Sequence, residues 1–371
     1  MAVAVNMTNV PTTHIGQVVK QLLPMYRANL ETLERCPAVM LWGQPGVGKS
    51  DGIHQLCDML GKSSGRPVHM YDMRLLLFGP IDLRGIPVPN AAHTEAVWLR
   101  PGILPPAEDH PDYDAGAIYV VFLDELTAAP ASVQAAAYQL ILNKAIGEHK
   151  LPPNTLVVAA GNRLSDKSVA NKMPMALSNR MLHFQVEVDY DAWKEWAIPA
   201  GVHQWVLAYL NSSNGGKLNL FDPTSDSVAF PTPRSWMFVS DILSGFNNNL
   251  KDAAQLVAAA VGLGVGHEFN KFIEVAHEMP SLEGILTGVE TKVPTKPDIL
   301  YAVTGSLVAG ADKYKPVQLG HILKYALKMP EEFAVLLIKD MLKVPKAAGI
   351  IVRLPGWLEF ASKFKDLISI D

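Results

Sequence analysis

One stretch constrains the fold of this 371-residue chain more than any other: an apolar run, a glycine-rich loop and a helix-like segment in direct succession. The run Ala38–Trp42 is apolar throughout, as expected of a buried strand. The loop after it follows the pattern G-x-x-x-x-G-K-S, whose glycines let the backbone wrap around a polyphosphate at a helix start. The predicted phosphate-binding residues are Gly43, Gln44, Pro45, Gly46, Val47, Gly48, Lys49, Ser50 and Asp51.

This loop predicts a ligand class and a metal ion. The Lys49 ammonium can reach the β- and γ-phosphates of a nucleoside triphosphate, and the Ser50 hydroxyl can bind Mg²⁺. The alternative is a glycine-rich turn without function. The strand before the loop and the helix after it argue against that alternative. We therefore expect a protein that binds a nucleotide together with Mg²⁺.

Composition limits the remaining possibilities. Hydrophobic residues make up 49% of the chain and charged residues 18%, which is typical of a folded protein, and the length suggests two or three domains. The net charge of −4 gives no general attraction to nucleic acid or to an anionic membrane. The cysteines Cys36 and Cys57 form no C-x-x-C pair, and no apolar run is long enough to span a bilayer. We expect a cytoplasmic protein.

Strand and helix patterns alternate between residues 37 and 190, which predicts an α/β domain with a five-stranded parallel sheet. Residues 1–36 form a separate N-terminal segment, where a helical spacing from His14 to Arg35 is interrupted near Pro24. The expected strands cover residues 38–42, 68–73, 118–123, 156–160 and 181–188, and the expected helices residues 49–60 and 130–142.

The second half of the sequence shows helical patterns and little strand signal. We divide it into a helical domain at residues 191–280 and a C-terminal helical extension at residues 281–371. The expected helices cover residues 233–246, 251–279, 297–311, 317–328, 331–343 and 356–368.

An unusually long connection separates the second and third predicted strands. It spans residues 75–116, whereas loops in compact α/β units usually contain about 2–6 residues. Residues 78–88 and 96–104 can pair as a hairpin, and a second hairpin is expected at residues 145–151. Such a connection is typical of a functional insertion, and the alternative is a surface loop without function.

Polar residues follow two of the predicted strands. Asp124 and Glu125 end one strand, and Asn162 follows the next, so all three belong to the carboxyl edge of the sheet. Asp124 can hold Mg²⁺, and Glu125 can orient or deprotonate an attacking water. Asn162 can bond the γ-phosphate or that water, or it can be a turn residue that caps its strand. The combination predicts a triphosphate-hydrolysing site.

Two arginines are candidates for the same reaction. Arg180 precedes the last predicted strand, and Arg234 begins a predicted helix. Phosphoryl transfer spreads negative charge over the transferred group, and an arginine placed there accelerates it by about 10³–10⁵. The alternative for each is a surface ion pair, which has little energetic effect.

The order of these residues resembles that of AAA+ ATPases, in particular the MoxR branch of the helix-2-insert group. The resemblance covers about residues 15–280. It implies ATP as the nucleotide, Asn162 as sensor 1, Arg180 as an arginine finger acting on a neighbouring subunit, and Arg234 as sensor 2 of a helical lid. It also implies a hexameric ring with both hairpins facing the pore. Where many relatives have proline this chain has Arg163, a second candidate for contact with phosphate or a neighbour.

The expected function is Mg²⁺-dependent ATP hydrolysis that remodels or activates a protein partner, as in MoxR-like chaperones. The resemblance implies a partner with a von Willebrand factor A-type domain. Two alternatives stay open. A nucleic-acid motor of the same fold is disfavoured by the acidic balance of the chain. A nucleotide-dependent switch or scaffold is disfavoured because Glu125 and the candidate fingers are present.

Overall fold

The computed structural model describes residues 10–166, 173, 179–246, 250–276, 278–290 and 292–365. The chain divides into two compact units. The first extends to Val188 and includes the short segment Asp222–Ser225, and the second comprises Asp189–Phe221 and the chain from Asp226 onward.

The first unit is built on a parallel sheet with the strand order β1-β10-β2-β9-β6-β3, so the strand that precedes the phosphate loop is central. This confirms the expected parallel α/β class and adds to the five predicted strands a sixth, β1, which a pattern search cannot detect in two residues. The strands of the described residues are β1 (Thr12–Thr13), β2 (Ala38–Trp42), β3 (Val68–Arg74), β4 (Ile86–Pro89), β5 (Ala96–Leu99), β6 (Ile118–Asp124), β7 (Ala145–Ile146), β8 (His149–Lys150), β9 (Thr155–Gly161) and β10 (Met181–Val186).

Helices cover both faces of this sheet because its central strands are apolar on both sides. In β2, Met40 belongs to one core cluster and Leu41 to the other. The cluster with Leu41 includes side chains of α1 and α2, and the cluster with Met40 includes side chains of α4. Among the described residues of this unit, the α-helices are α1 (Ile15–Ala28), α2 (Lys49–Ser64), α3 (Pro80–Arg84) and α4 (Ala131–Asn143).

The expected interruption of the helix near Pro24 is wrong, because α1 is continuous there. The helix continues through Pro24, although proline removes one intrahelical hydrogen bond. Val18, Leu22 and Tyr26 are buried along one face of α1 on both sides of the proline. We attribute the continuity of the helix to this packing, which outweighs the local backbone penalty.

The long connection contains the antiparallel hairpin β4–β5, as predicted. The first part of the predicted first hairpin strand is instead the short helix α3. The second predicted hairpin is the short pair β7–β8. The Arg100 guanidinium, just after β5, donates hydrogen bonds to the carbonyl of Lys150 in β8 at 3.1 Å and to that of Pro105 at 2.6 Å. The Arg84 guanidinium lies 5.2 Å from the centre of the Trp98 ring. The two hairpins are thus joined to each other.

The regular elements described in the second unit are helices. The predicted helix at 251–279 is two helices, because Gly262 adopts a left-handed φ of 89° between them. Residues 366–368 of the last predicted helix lie outside the described residues. The helices are α5 (Tyr190–Ala197), α6 (Gln204–Ser212), α7 (Pro233–Gly245), α8 (Leu250–Val261), α9 (Leu263–Ala276), α10 (Leu282–Thr287), α11 (Pro297–Ala309), α12 (Pro316–Ala326), α13 (Glu331–Leu342), α14 (Pro345–Ile351) and α15 (Gly356–Lys363). None of the described helices has the length and apolar content that crossing a membrane requires.

A buried ion pair connects two distant segments of the second unit. Lys194 of α5 and Asp340 of α13 are 2.7 Å apart, and their side chains are only 4% and 3% exposed. Lys343 approaches the other oxygen of Asp340 at 3.4 Å. Burial lowers the pKa of Lys194, and the adjacent Asp340 carboxylate opposes that shift. The segment predicted as a helical domain and the C-terminal extension therefore share one compact unit.

The half-buried Lys144 makes a pH-dependent contribution to stability in the first unit. The Lys144 ammonium, at the end of α4, donates to the carbonyls of Leu33 at 3.1 Å and Thr155 at 2.9 Å. Burial lowers its pKa to about 8. The unfolded chain keeps an ordinary lysine pKa, so above pH 8 it binds more protons than the folded protein. Stability from this group is therefore expected to rise with pH.

We expect the free energy of unfolding to include a term that increases by up to about 1.4 kcal/mol per pH unit between pH 8 and pH 9.5. Denaturant unfolding of the wild type and of Lys144→Met across this range gives the free energy of unfolding as a function of pH. The difference between the slopes of the two curves measures this term. The methionine variant lacks the titrating group, so its curve should rise less steeply. Parallel curves would show that the Lys144 pKa is not lowered in the folded protein.

Candidate nucleotide site

The phosphate loop has the backbone that its glycines predict. Gly46 and Gly48 adopt left-handed φ angles of 81° and 88°, which residues with a Cβ rarely tolerate. Gly48 directly precedes α2, so the loop ends at the helix N-terminus, where free amides and the helix dipole attract anions. Gly43 faces the carbonyl of Val186, and a Cβ at Gly43 would lie 2.6 Å from that oxygen.

Lys49 connects the loop to the neighbouring strand. Its ammonium donates to the carbonyls of Gly43 at 2.7 Å and Gln44 at 3.0 Å and to Asn162 Oδ1 at 3.2 Å. Strands β2 and β9 are adjacent, with Trp42 opposite Gly161, so the residues that follow both strands meet at the sheet edge. Two residues predicted separately from the sequence therefore share one site.

Ser50 and Asp124 are the predicted metal ligands, and they also meet. The Ser50 hydroxyl donates to Asp124 Oδ2 at 2.9 Å. Hydroxyl and carboxylate oxygens are ligands that Mg²⁺ prefers, and Mg²⁺ typically takes only one or two from the protein. Within the described part of the chain, no group of three or more His, Cys, Asp or Glu side chains could hold a metal ion. The Ser50 hydroxyl and the Asp124 carboxylate, which lie together, fit Mg²⁺ that is bound jointly with phosphate.

The local electrostatics also favour a cation. Asp72 lies on β3, the strand next to β6. Asp72 is exposed, and its partial desolvation together with the negative charge of Asp124 raises its pKa. Part of this shift thus reflects repulsion between the two carboxylates, which a bound cation would relieve.

Glu125 occupies a strained backbone position directly after β6. Its φ of 56° is left-handed, which is uncommon for a residue other than glycine and is frequent at functional sites. Two hydrogen bonds hold this turn, from Leu126 N to the Ala160 carbonyl at 2.9 Å and from Ala128 N to the Glu125 carbonyl at 3.0 Å. The Glu125 side chain remains partly exposed, as a group that contacts water must be.

Arg163 is engaged within its own chain. Its guanidinium binds the buried carboxylate of Asp166, with Nε and one terminal nitrogen each 3.1 Å from Oδ1. A third nitrogen lies 3.4 Å from Glu187. The predicted contact of Arg163 with phosphate or a neighbour would have to compete with this pairing.

The other predicted arginines lie on the surface. Arg180 is exposed at the turn before β10, and Arg234 is exposed in the first turn of α7, in the second unit. Asp51, in the first turn of α2, is also exposed. Their roles stay predictions.

Sequence reasoning missed one residue of this site, Thr127. It is 3% exposed and exchanges two hydrogen bonds with the main chain of Asn162. A threonine in an apolar stretch two residues after the acidic pair gives no signal of this contact, because the contact depends on how β6 and β9 align.

The described residues thus form an α/β unit with a parallel sheet and a phosphate loop, and a second unit whose regular elements are helices. A protein from Cytophaga hutchinsonii ATCC 33406 that is proposed to be an ATPase aligns with 15% identity and a TM-score of 0.33, over 62% of this chain and only 63% of its own length. A mutant of RuvB from Thermotoga maritima aligns over 82% of this chain and 86% of its own, with 15% identity and a TM-score of 0.34.

A third solved structure, a HORMA:CdnC:Trip13 complex from E. coli MS115-1, aligns over 66% of this chain and 80% of its own, with 15% identity and a TM-score of 0.35. No protein-family model matches the sequence, and no curated protein matches it. Similarity at this level assigns neither a family nor a function to the chain.

Proposed function

We propose that this protein is a Mg²⁺-dependent ATPase of the AAA+ type that remodels or activates a protein partner. One observation carries the proposal. Lys49 bonds Asn162, and Ser50 bonds Asp124, so groups from the phosphate loop, β6 and β9 converge at one edge of the sheet. Glu125 follows Asp124 directly at the same edge. This set contains the groups that triphosphate hydrolysis requires.

Each group has a role that follows from its chemistry. Lys49 and the loop amides hold the β- and γ-phosphates, and Asn162 is placed to bond the γ-phosphate or the attacking water. Glu125 orients that water and accepts its proton. Ser50 and Asp124 would hold Mg²⁺, which when bound neutralises charge on the phosphate oxygens.

Activity is proposed to depend on assembly into a ring, which we take to be a hexamer. Arg180 would reach the nucleotide of a neighbouring subunit, which is supported by its exposed position and by the engagement of Arg163 with Asp166. Arg234 would report the nucleotide state through the helical region. The choice of ATP, the MoxR-like role and a partner with a von Willebrand factor A-type domain are proposed from the resemblance of the motifs.

Replacement of Glu125 by Gln tests hydrolysis directly. The variant keeps the size of the side chain but loses the base, so turnover is expected to fall by about 10²–10⁴-fold while nucleotide affinity changes little. The measurements are phosphate release and binding of a fluorescent ATP analogue. Glu359→Gln, an exposed change in α15, is the matched control and should turn over normally. Normal turnover by Glu125→Gln would contradict the assignment of the base.

The same assays distinguish the alternatives. A nucleic-acid motor would hydrolyse ATP faster with single- or double-stranded DNA, and unchanged turnover would remove that candidate. A switch or scaffold would bind nucleotide without releasing phosphate. Because Glu125→Gln should hold ATP unhydrolysed, a tagged form is also suited to retaining the partner for identification.

A further inference from the structure

We propose that Thr127 is a positioning residue for ATP hydrolysis: its hydroxyl fixes the main chain of Asn162 relative to the turn that carries Glu125. The inference rests on the proposed function. It concerns a residue that contacts neither phosphate nor metal in that proposal and that acts through Asn162.

The Thr127 hydroxyl contacts both polar groups of one residue. It donates to the carbonyl of Asn162 at 3.1 Å and accepts from the amide of Asn162 at 3.1 Å. The residue is 3% exposed, so water cannot readily replace either bond. Because the backbone on both sides of the Asn162 Cα is held, the direction of its side chain toward Lys49 is held as well.

The neighbouring glycine makes this contact possible. A Cβ at Gly161 would lie 2.6 Å from Thr127 Oγ1 and 2.7 Å from its methyl carbon. Any larger residue at the end of β9 would therefore push Thr127 away from Asn162. The strand end and the threonine fit each other closely.

The main-chain carbonyl of Thr127 is held by a side chain of α4. This carbonyl accepts from Gln134 Nε2 of α4 at 3.1 Å, and the same nitrogen donates to the Ala129 carbonyl at 3.2 Å. The Tyr138 hydroxyl in turn donates to Gln134 Oε1 at 2.7 Å. The segment that begins with the strained Glu125 is thus anchored to α4, and the Thr127 hydroxyl adds Asn162 to the same anchored structure.

Valine at position 127 has nearly the same shape but no hydroxyl. It would leave the amide and carbonyl of Asn162 without these partners, and Asn162 could shift relative to Glu125. A misplacement of about 1 Å in a reacting geometry can cost about 10²-fold in rate. Binding of the triphosphate by the loop and Lys49 does not require this alignment. The expected effect is therefore on kcat rather than on KM.

The test compares Thr127→Val and Thr127→Ser by steady-state ATP hydrolysis. We expect valine to lower kcat by about 10- to 100-fold with KM changed less than about threefold, and serine to restore kcat to within about threefold of the wild type. The matched control is Thr155→Val on β9, the strand that Asn162 follows, since the buried Thr155 hydroxyl has no hydrogen-bond partner among the described residues. It should leave kcat and KM unchanged.

Several results would overturn the inference. They are a valine variant with wild-type kcat, a serine variant as slow as valine, and a loss confined to KM. If valine prevents folding, Thr127→Ala is measured with the same criteria. If the wild type hydrolyses ATP and the valine variant hydrolyses it equally fast, only this inference is contradicted. If the wild type binds ATP but does not hydrolyse it, the proposed function is contradicted, and this inference with it.

Discussion

Replacing Arg180 by alanine is expected to lower ATP turnover by about 10³–10⁵-fold while leaving nucleotide affinity nearly unchanged. A guanidinium that approaches from a neighbouring subunit contributes in the transition state, when charge moves onto the transferred phosphoryl group. Arg353 is also exposed but lies in the second unit, so Arg353→Ala is the matched control and should hydrolyse normally. Unchanged turnover in both Arg180→Ala and Arg163→Ala would contradict the arginine-finger role.

Mixing two inactive variants tests whether the arginine acts between subunits. Lys49→Ala lacks the phosphate-binding lysine but retains Arg180, and Arg180→Ala has the opposite defect. In a mixed assembly some sites combine an intact Lys49 with an intact Arg180 from the next subunit. We expect turnover that neither variant shows alone, and we expect the wild type to lose specific activity on dilution. A mixture as inactive as its components, with no effect of dilution, would contradict the ring.

The second large effect is on stability. Lys194→Met is expected to lower the free energy of unfolding by about 3–5 kcal/mol, because it leaves the Asp340 carboxylate buried without its partner at 2.7 Å. Chemical denaturation followed by tryptophan fluorescence measures this change, since Trp193 lies next to Lys194 in α5. A loss below about 1 kcal/mol would mean that water reaches Asp340 or that Lys343 replaces Lys194.

Two further variants distinguish the effect of losing an ion pair from the effect of its burial. The double variant Lys194→Met/Asp340→Leu removes both charges and is expected to recover most of the lost stability, since a buried ion pair can be replaced by apolar side chains at little cost. Lys296→Met breaks the pair with Glu278, whose side chains are 57% and 58% exposed, and should cost only about 0–1 kcal/mol. A double variant less stable than Lys194→Met would contradict this account.

Much of the first unit could be predicted because its signals are local. The apolar runs of β2, β6 and β9 are continuous, as required of strands buried on both faces. In a parallel sheet the residues after such strands meet at one edge, so Lys49, Asn162, Ser50 and Asp124 were found together without knowledge of the register.

The remaining contacts depend on how distant segments align in three dimensions, which no local sequence pattern indicates. Thr127 reaches Asn162 only because β6 and β9 align with a particular offset. Asp166 was not foreseen as the partner of Arg163, because an arginine and an aspartate three residues apart in an irregular segment can point in any direction. Strand β1 is held by main-chain bonds from Gln185 and Glu187, which are independent of side-chain type.

The contacts of Arg100 have a mechanical consequence. Its guanidinium bridges the chain after β5 and the carbonyl of Lys150 in β8, and β7–β8 continues directly from α4. A displacement of α4 would therefore carry both hairpins in the same direction. Through Arg100, the hairpin of the long connection is linked to α4, the helix whose Gln134 also binds the Thr127 carbonyl.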